Sequence, residues 1–262
     1  MIRLKSAEEI EMMRRAGRAV AEALAAMRDA IVPGQTTTLD LDEVAAEVLR
    51  KRGAKPALLG YKPSFSRVPY KHNTCISVNN EVVHGVPSGK RVLVEGDVVS
   101  LDLDASIDGW CADAALTVPV GAVSTAAKNL LTVSREALFK GISQARVGNT
   151  VGDISAAIQR HAERSRYGVV RDLVGHGIGQ TPHEDPQVAN YGKPGRGERL
   201  RAGMTICIEP MVNIGKHDVA HHKGDVWTIF TSDGSLSAHF EHTVAITEDG
   251  PDILTLPPSQ EK

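Results

Sequence analysis

The sequence predicts an α+β fold: two pseudo-symmetric halves around a central antiparallel sheet backed by helices, all within one domain over residues 1–262. Three observations carry this. The order helix, helix, strand, strand runs over about 7–121 and recurs over about 125–247. The break between the two helices has the same form in each half, Val32-Pro33-Gly34-Gln35-Thr36 and Arg146-Val147-Gly148-Asn149-Thr150. Two strand segments also align, 95–102 with 202–209 and 112–118 with 240–246.

In chain order, Ser6 with Glu9 is a capping-box signature, and Ile10, Met13, Val20, Leu24 and Met27 follow at helical spacing. Val32-Pro33-Gly34 stops that helix. A second helix is expected from near Thr38 through Val44, Val48 and Leu49 to Gly53. Residues 57–74, rich in Pro, Ser and Tyr, read as a loop. Strands follow around 76–78, 82–84 and 97–104; Asp108-Gly109 is a hairpin turn signal, and 112–120 reads as the return strand. The second half has helices over 125–144 and from Asp153 through His161, the latter matching the helix after Thr38 with about a one-residue slip. Strands over 204–208 and 240–246 complete it.

Composition narrows the function. The chain is 42% hydrophobic and 24% charged, ordinary for a globular protein long enough to bury a sizeable core. A net charge of −2 and 4% aromatic residues argue against nucleic acid as a main partner. The cysteines, Cys75, Cys111 and Cys207, are odd in number and lack CxxC spacing, which argues against a disulfide framework or zinc knuckle and fits a reducing cytoplasm. No signal peptide is visible over 1–11, and no run approaches the ~20 apolar residues of a membrane span.

The chemistry lies in Asp102, Asp113, His176, Glu209 and Glu241. Four carboxylates and an imidazole form a hard, oxygen-rich donor set suited to Mn, Fe, Co or Zn, able to hold two divalent ions that activate water for hydrolysis. Asp102 and Asp113 flank Asp108-Gly109, so the hairpin is expected to set them nearly opposite, ~5 Å apart, where like charges call for a cation. Taken alone the pair reads equally as a solvated strand face. Asp104 shares the parity of Asp102, and Asp108 reads as a turn residue. Gly175-His176-Gly177-Ile178-Gly179 allows a tight backbone, and Gln180 stands where a dinucleotide loop would need glycine. His176 is read as a ligand rather than a capping histidine. Glu209 ends an apolar strand, where an unpaired buried carboxylate is costly. His183 is a candidate to polarise a substrate carbonyl or else a loop histidine; His84 is a second catalytic candidate or else a strand-end residue. His239 and His242 are read as structural, facing away from Glu241.

Taken together, SVNNEVVHGVP (77–87), SLDLDASIDGWCADAALTVPVG (100–121), GHGIGQTPHEDPQV (175–188), CIEPMV (207–212) and SLSAHFEHTVAIT (235–247) resemble type I methionine aminopeptidases over nearly the whole chain. The resemblance implies the pita-bread fold, with the internal pseudo-symmetry that the repeat indicates independently. It implies two divalent ions (Co, Mn, Fe or Zn) bridged by Asp113 and Glu241, one completed by Asp102 and the other by His176 and Glu209. A bridging water or hydroxide would be the nucleophile, with Glu209 taking its proton. His183 would stabilise the carbonyl oxyanion, and His84 would contact the scissile amide nitrogen. The substrate would be the N-terminal methionine of nascent chains with a small second residue, met at the ribosome by a cytoplasmic monomer. Tyr61, Cys75 and Trp227, with Phe65, match the methionine pocket. The stretch 62–74 is longer than in the simplest bacterial members, and Ala114-Ala115 follow Asp113 where many members carry a hydroxyl.

Two other readings are weighed. A proline-specific relative, an Xaa-Pro aminopeptidase or prolidase, usually carries a further N-terminal domain, whereas here the residues before Asp102 already belong to the first half-repeat. A metal-free pita-bread binding protein would be expected to lack one or more of the five ligands, and all five are present.

Overall fold

Each helix begins at a cap of the expected chemistry. The computed structural model describes residues 2–62, 68–221 and 225–257. Helix α1 spans Ala7–Asp29, with Ser6 and Glu9 satisfying each other's backbone N–H groups. Helix α2 spans Thr38–Arg52; Thr37 and Asp40 form its box, and Gly53 ends it in the left-handed region at φ 65°. Helix α3 spans Thr125–Ile142 behind Ser124, and α4 spans Val151–Arg164 behind Thr150, whose N–H and hydroxyl both donate to Asp153. The one-residue slip between the halves is thereby resolved. Thr37 and Thr150 are the equivalent caps, and each also makes an isolated bridge, to Val92 and Arg199 respectively.

The strands are β1 (Lys55–Pro56), β2 (Cys75–Val78), β3 (Glu81–Val83), β4 (Val98–Ile107), β5 (Trp110–Pro119), β6 (Gly168–Val169), β7 (Gly175–Gly177) and β8 (Glu184–Val188). They continue as β9 (Thr205–Ile208), β10 (Met211–Asn213), β11 (Val219–His221), β12 (Ile229–Thr231), β13 (Ser237–His239), β14 (Glu241–Thr247) and β15 (Gly250–Ile253). The main sheet runs β1-β4-β5-β14-β9-β7-β8, with β2 on β4 and β15 on β14. Two small sheets, β13-β10-β6 and β11-β12-β3, complete the α+β fold. The aligned sequence segments occupy matching places: β4 and β9 lie outside β5 and β14, which meet at the centre.

Alternation on the strands fixes which face is which. Leu101, Leu103 and Ala105 on β4 join the core under α1 and α2, together with Ala112 and Ala114 on β5. Ile206, Ile208, Val244 and Ile246 join a second core with residues of α3 and α4. Leu116 packs against both. Each large apolar side chain buried this way is worth about 1.5–3 kcal/mol, so register is strongly held. The opposite face receives the polar residues.

The hairpin places the acids differently from the expectation. Asp108 and Gly109 form the two-residue turn at φ 51° and 82°, so Ile107 pairs with Trp110 and the ladder counts back from there. Asp113 therefore lies opposite Asp104, and Asp102 lies opposite Ala115. Asp102 and Asp113 are diagonal neighbours on one face, not a facing pair.

His176 also departs from the expected glycine turn, because Gly175–Gly177 is a strand. Its glycines serve close approach. A Cβ on Gly175 would stand 2.3 Å from the Cys207 carbonyl oxygen, and one on Gly177 2.1 Å from that of Asp185. We expect Gly175→Ala to push β7 off β9, costing about 1–3 kcal/mol and weakening metal binding through His176. Urea unfolding and metal titration check this; an unchanged midpoint would show that β7 yields without loss.

Candidate metal centre

Five strands lay the predicted acids and histidine in two adjacent rows on the face opposite the helices. One row holds Asp102 on β4, Ala115 on β5 and Glu241 on β14, with Glu209 next beyond the His242–Ile208 pair. The other holds Asp104 opposite Asp113, then Thr243 opposite Cys207, with His176 on the adjoining β7. The Thr243 hydroxyl accepts from the Asp113 N–H at 2.9 Å and donates to its carbonyl at 2.8 Å, tying β14 to β5 at the site. All five predicted residues line one cavity of about 200 Å³, with His84 and His183.

Asp104, Asp113 and Glu241 are buried, with Asp102 and Glu209 half-buried beside them. Burial raises the carboxyls of Asp102, Asp104, Glu209 and Glu241 well above the usual carboxylate range, and the charge of Asp113 raises each further. Asp113 is pushed up to about 7 by burial, against the hydrogen bond from the Ala114 N–H. Asp113 Oδ1, Glu241 Oε1 and both oxygens of Asp104 have no hydrogen-bond partner among the described residues. The ion-pair partners of Asp113, Glu209 and Glu241 there are imidazoles alone. Clustered like charges without a lysine or arginine are costly unless a cation joins them, so the donor set fits divalent metal.

His176 is set up as a ligand. Its Nδ1 lies 2.9 Å from the Gly177 carbonyl, which can only accept, so the proton sits on Nδ1 and the Nε2 lone pair faces the acids. Nε2 is 3.5 Å from Glu209 and 4.0 Å from Asp113. Burial first, then His183, lowers this imidazole to about 4, which keeps it neutral. His183 stands at the mouth, its ring 4.4 Å from that of His176 and 5.5 Å from that of Tyr61. His84 reaches the cavity from a left-handed backbone, φ 58°, a conformation that costs a non-glycine residue energy and clusters at functional sites. Burial lowers His84 to about 4 as well.

Beside the acids, Tyr61, Cys75 and Trp227, three of the residues matched to the pocket in the sequence, line the same cavity. Phe65 lies outside the described residues. Tyr70, missed in the sequence, stacks edge-on against Trp227 at 5.0 Å and donates its hydroxyl to the Thr74 carbonyl. Asp42 on α2 accepts from the backbone of Asn73 and Thr74 and from the Thr74 hydroxyl, which fixes the segment entering Cys75.

His239 is a correction. It was expected to face away, but it lines the cavity, with Nε2 3.9 Å from Glu209 and 4.0 Å from Glu241. It stands two residues before Glu241, the same parity, which was the available signal. His242 does face the other side, where its Nδ1 meets the Thr255 hydroxyl at 2.8 Å.

The profile of metallopeptidase family M24 matches residues 11–248. This chain belongs to metallopeptidase family M24. Its relatives in M24 include the methionine aminopeptidase of Clostridium acetobutylicum, 48% identical over 256 residues, covering 98% of this chain and 99% of that one. The crystal structure of methionine aminopeptidase from Thermotoga maritima matches with a TM-score of 0.93 and 48% identity, over 98% of this chain and 100% of that one. Prolidase from Pyrococcus furiosus matches with a TM-score of 0.74 and 25% identity, over 96% of this chain but 65% of that one. The α+β fold is thus the pita-bread fold of M24 enzymes, and divalent-metal use follows from the family together with the acid cluster. Among the described residues, no helix is long and apolar enough to cross a membrane.

Proposed function

We propose that this chain is a methionine aminopeptidase, a metal-dependent hydrolase that removes the N-terminal methionine from polypeptides with a small second residue. The observation that carries this is the convergence of two buried carboxylates, Asp113 and Glu241, two half-buried ones, Asp102 and Glu209, and the His176 lone pair on one end of a small cavity whose other walls are aromatic and apolar.

Asp113 and Glu241 would hold two divalent ions (Co, Mn, Fe or Zn) in common, with Asp102 toward one and His176 and Glu209 toward the other. The ions would supply Lewis acidity and a nucleophilic water at neutral pH. Glu209 would take a proton from the attacking water. His183, neutral at the mouth, donates to the substrate carbonyl oxygen as charge develops there. His84, held neutral, meets the scissile amide nitrogen. Tyr61, Tyr70, Cys75 and Trp227 give the methionine thioether an apolar, polarisable pocket. The cavity of about 200 Å³ suits one side chain, so the rest of the substrate runs outward through the mouth. We place the enzyme in the cytoplasm as a monomer, meeting nascent chains at the ribosome, with 1–262 as one catalytic unit.

The test is release of the N-terminal residue from Met-Ala-Ser and from the Xaa-Pro peptide Ala-Pro-Ser, with Mn, Fe or Co and with chelator. Release from the first alone, abolished by chelator, is expected. No release with any metal sinks the proposal, and preference for an Xaa-Pro bond points to the prolidase branch instead. His183→Ala should lower kcat by about 10²-fold. Its metal content, read by elemental analysis, should not change; lost metal would make His183 a ligand instead.

A further inference from the structure

Cys207 has no part in the proposed reaction, yet it lies among the groups that do. It sits on β9, one row from Glu209 and on the same face, fully buried and unoxidised. Its Sγ is 3.6 Å from the Thr243 hydroxyl, which itself grips the backbone of Asp113. One ligand atom from each of Asp113, His176, Cys207 and Glu241 lies within 4.8 Å of every other. A tetrahedral ion with arms of 2.0–2.3 Å needs edges of about 3.5 Å, so small side-chain rotations close the set.

We propose that these four residues form a closed site for one thiophilic cation, Zn²⁺ or Cd²⁺, with Cys207 as its sulfur ligand. The proposal rests on the metal-centre reading above and adds a second mode of occupancy to it. Three further observations support it. Asp113 Oδ1 and Glu241 Oε1 are buried without partners. The His176 lone pair faces the same point. The other cysteines lie to either side: Cys75 lines the cavity near Asp102, and Cys111 directs its thiol to the Gln180 carbonyl.

A thiolate favours zinc and cadmium over manganese. Four protein ligands leave no open position for water, the mark of a non-catalytic site. An ion held here also withdraws Asp113 and Glu241 from their shared duty, so this mode is inhibitory. As the Sγ–metal bond forms, the Sγ–H bond breaks and its proton leaves to solvent.

The test uses the metal-stripped full chain with one equivalent of ¹¹³Cd²⁺ for NMR, or of Co²⁺ for near-UV absorption. A cadmium resonance in the downfield range of sulfur ligation and a sulfur-to-cobalt charge-transfer band are expected. Both should persist in Cys75→Ser and Cys111→Ser and vanish in Cys207→Thr. Cys207→Thr should also weaken Cd²⁺ binding by about tenfold while changing Mn²⁺ binding by no more than about twofold. Bound cadmium without the sulfur signal, or a signal that survives Cys207→Thr, overturns the proposal and leaves the metal centre standing. A chain that binds neither ion overturns both. If Cys207→Thr does not fold, the wild type with the other two variants still decides by elimination.

Discussion

Asp113→Asn is expected to lower kcat for methionine release by about 10³-fold or more, roughly 4 kcal/mol at the transition state, while the metal-free protein keeps or raises its melting temperature. The two halves of this expectation have one cause. Asp113 is buried beside Asp102, Asp104 and Glu241, and its charge raises all three carboxyls. Removing that charge relieves repulsion in the empty site but takes away a ligand proposed to serve both ions. The backbone of Asp113 keeps its two contacts to the Thr243 hydroxyl in the variant, so the strand junction survives. Steady-state kinetics with saturating metal and a thermal melt of stripped protein check both parts. Unchanged turnover would remove Asp113 from the bridging position.

The second large effect is on the pH dependence of stability with and without metal. A carboxyl raised in the folded state keeps a proton that the unfolded chain has lost, so stability falls as pH rises between the two values. For Asp113 that window runs from about 4, its unfolded value, to about 7. Asp102, Asp104, Glu209 and Glu241 are raised in the same sense and deepen the fall. Buried imidazoles act in the opposite sense. His84, His176 and His242 are lowered to about 4 and His239 to about 3, so they stay neutral when folded and cost stability only as pH drops below about 6.5. Between about pH 4 and 6.5 the carboxyl and imidazole contributions oppose each other, and above about 6.5 the carboxyl fall stands alone, so stripped protein should lose stability as pH rises from about 6.5 toward 8. Divalent metal at a hundredfold over its Kd adds about 2.7 kcal/mol, about 5–10 °C in melting temperature, and should remove the alkaline fall because the carboxylates are then paired. A metal-induced shift that shrinks as pH rises would contradict this.

Much of the site was legible in the chain because its logic is local. Leu101 and Leu103 declare the core side of β4, which leaves Asp102 on the other. Ser6/Glu9 and the two break segments located the helix starts. The facing of Asp102 and Asp113 failed on one count: the turn is centred between Asp108 and Gly109, which opposes Asp104 to Asp113. His239 failed because it was read as alternating with Glu241, whereas it stands two residues before it, and β13 and β14 keep that shared parity although they belong to different sheets. The short strands β1, β6 and β10–β13 hold two or three residues each, too few for any period to show. Tyr70 lies in a stretch without any period to read, and although Cys207 shares the parity of Glu209, its approach to Asp113 runs through Thr243, distant in sequence.

The seam between β5 and β14 has a consequence for how the molecule opens. Its paired residues are Glu241 with Ala115 and His242 with Ala114, continued by the Thr243 hydroxyl. Asp102 and Asp113 stand on one side of that seam, and His176, Glu209 and Glu241 on the other. Ions shared across it, as proposed, would act as a removable rivet between two separately cored lobes. Metal occupancy would then set the free energy of parting the lobes more than the firmness of either one. Amide exchange along β5 and β14 should respond to metal well beyond what the loops around the mouth show.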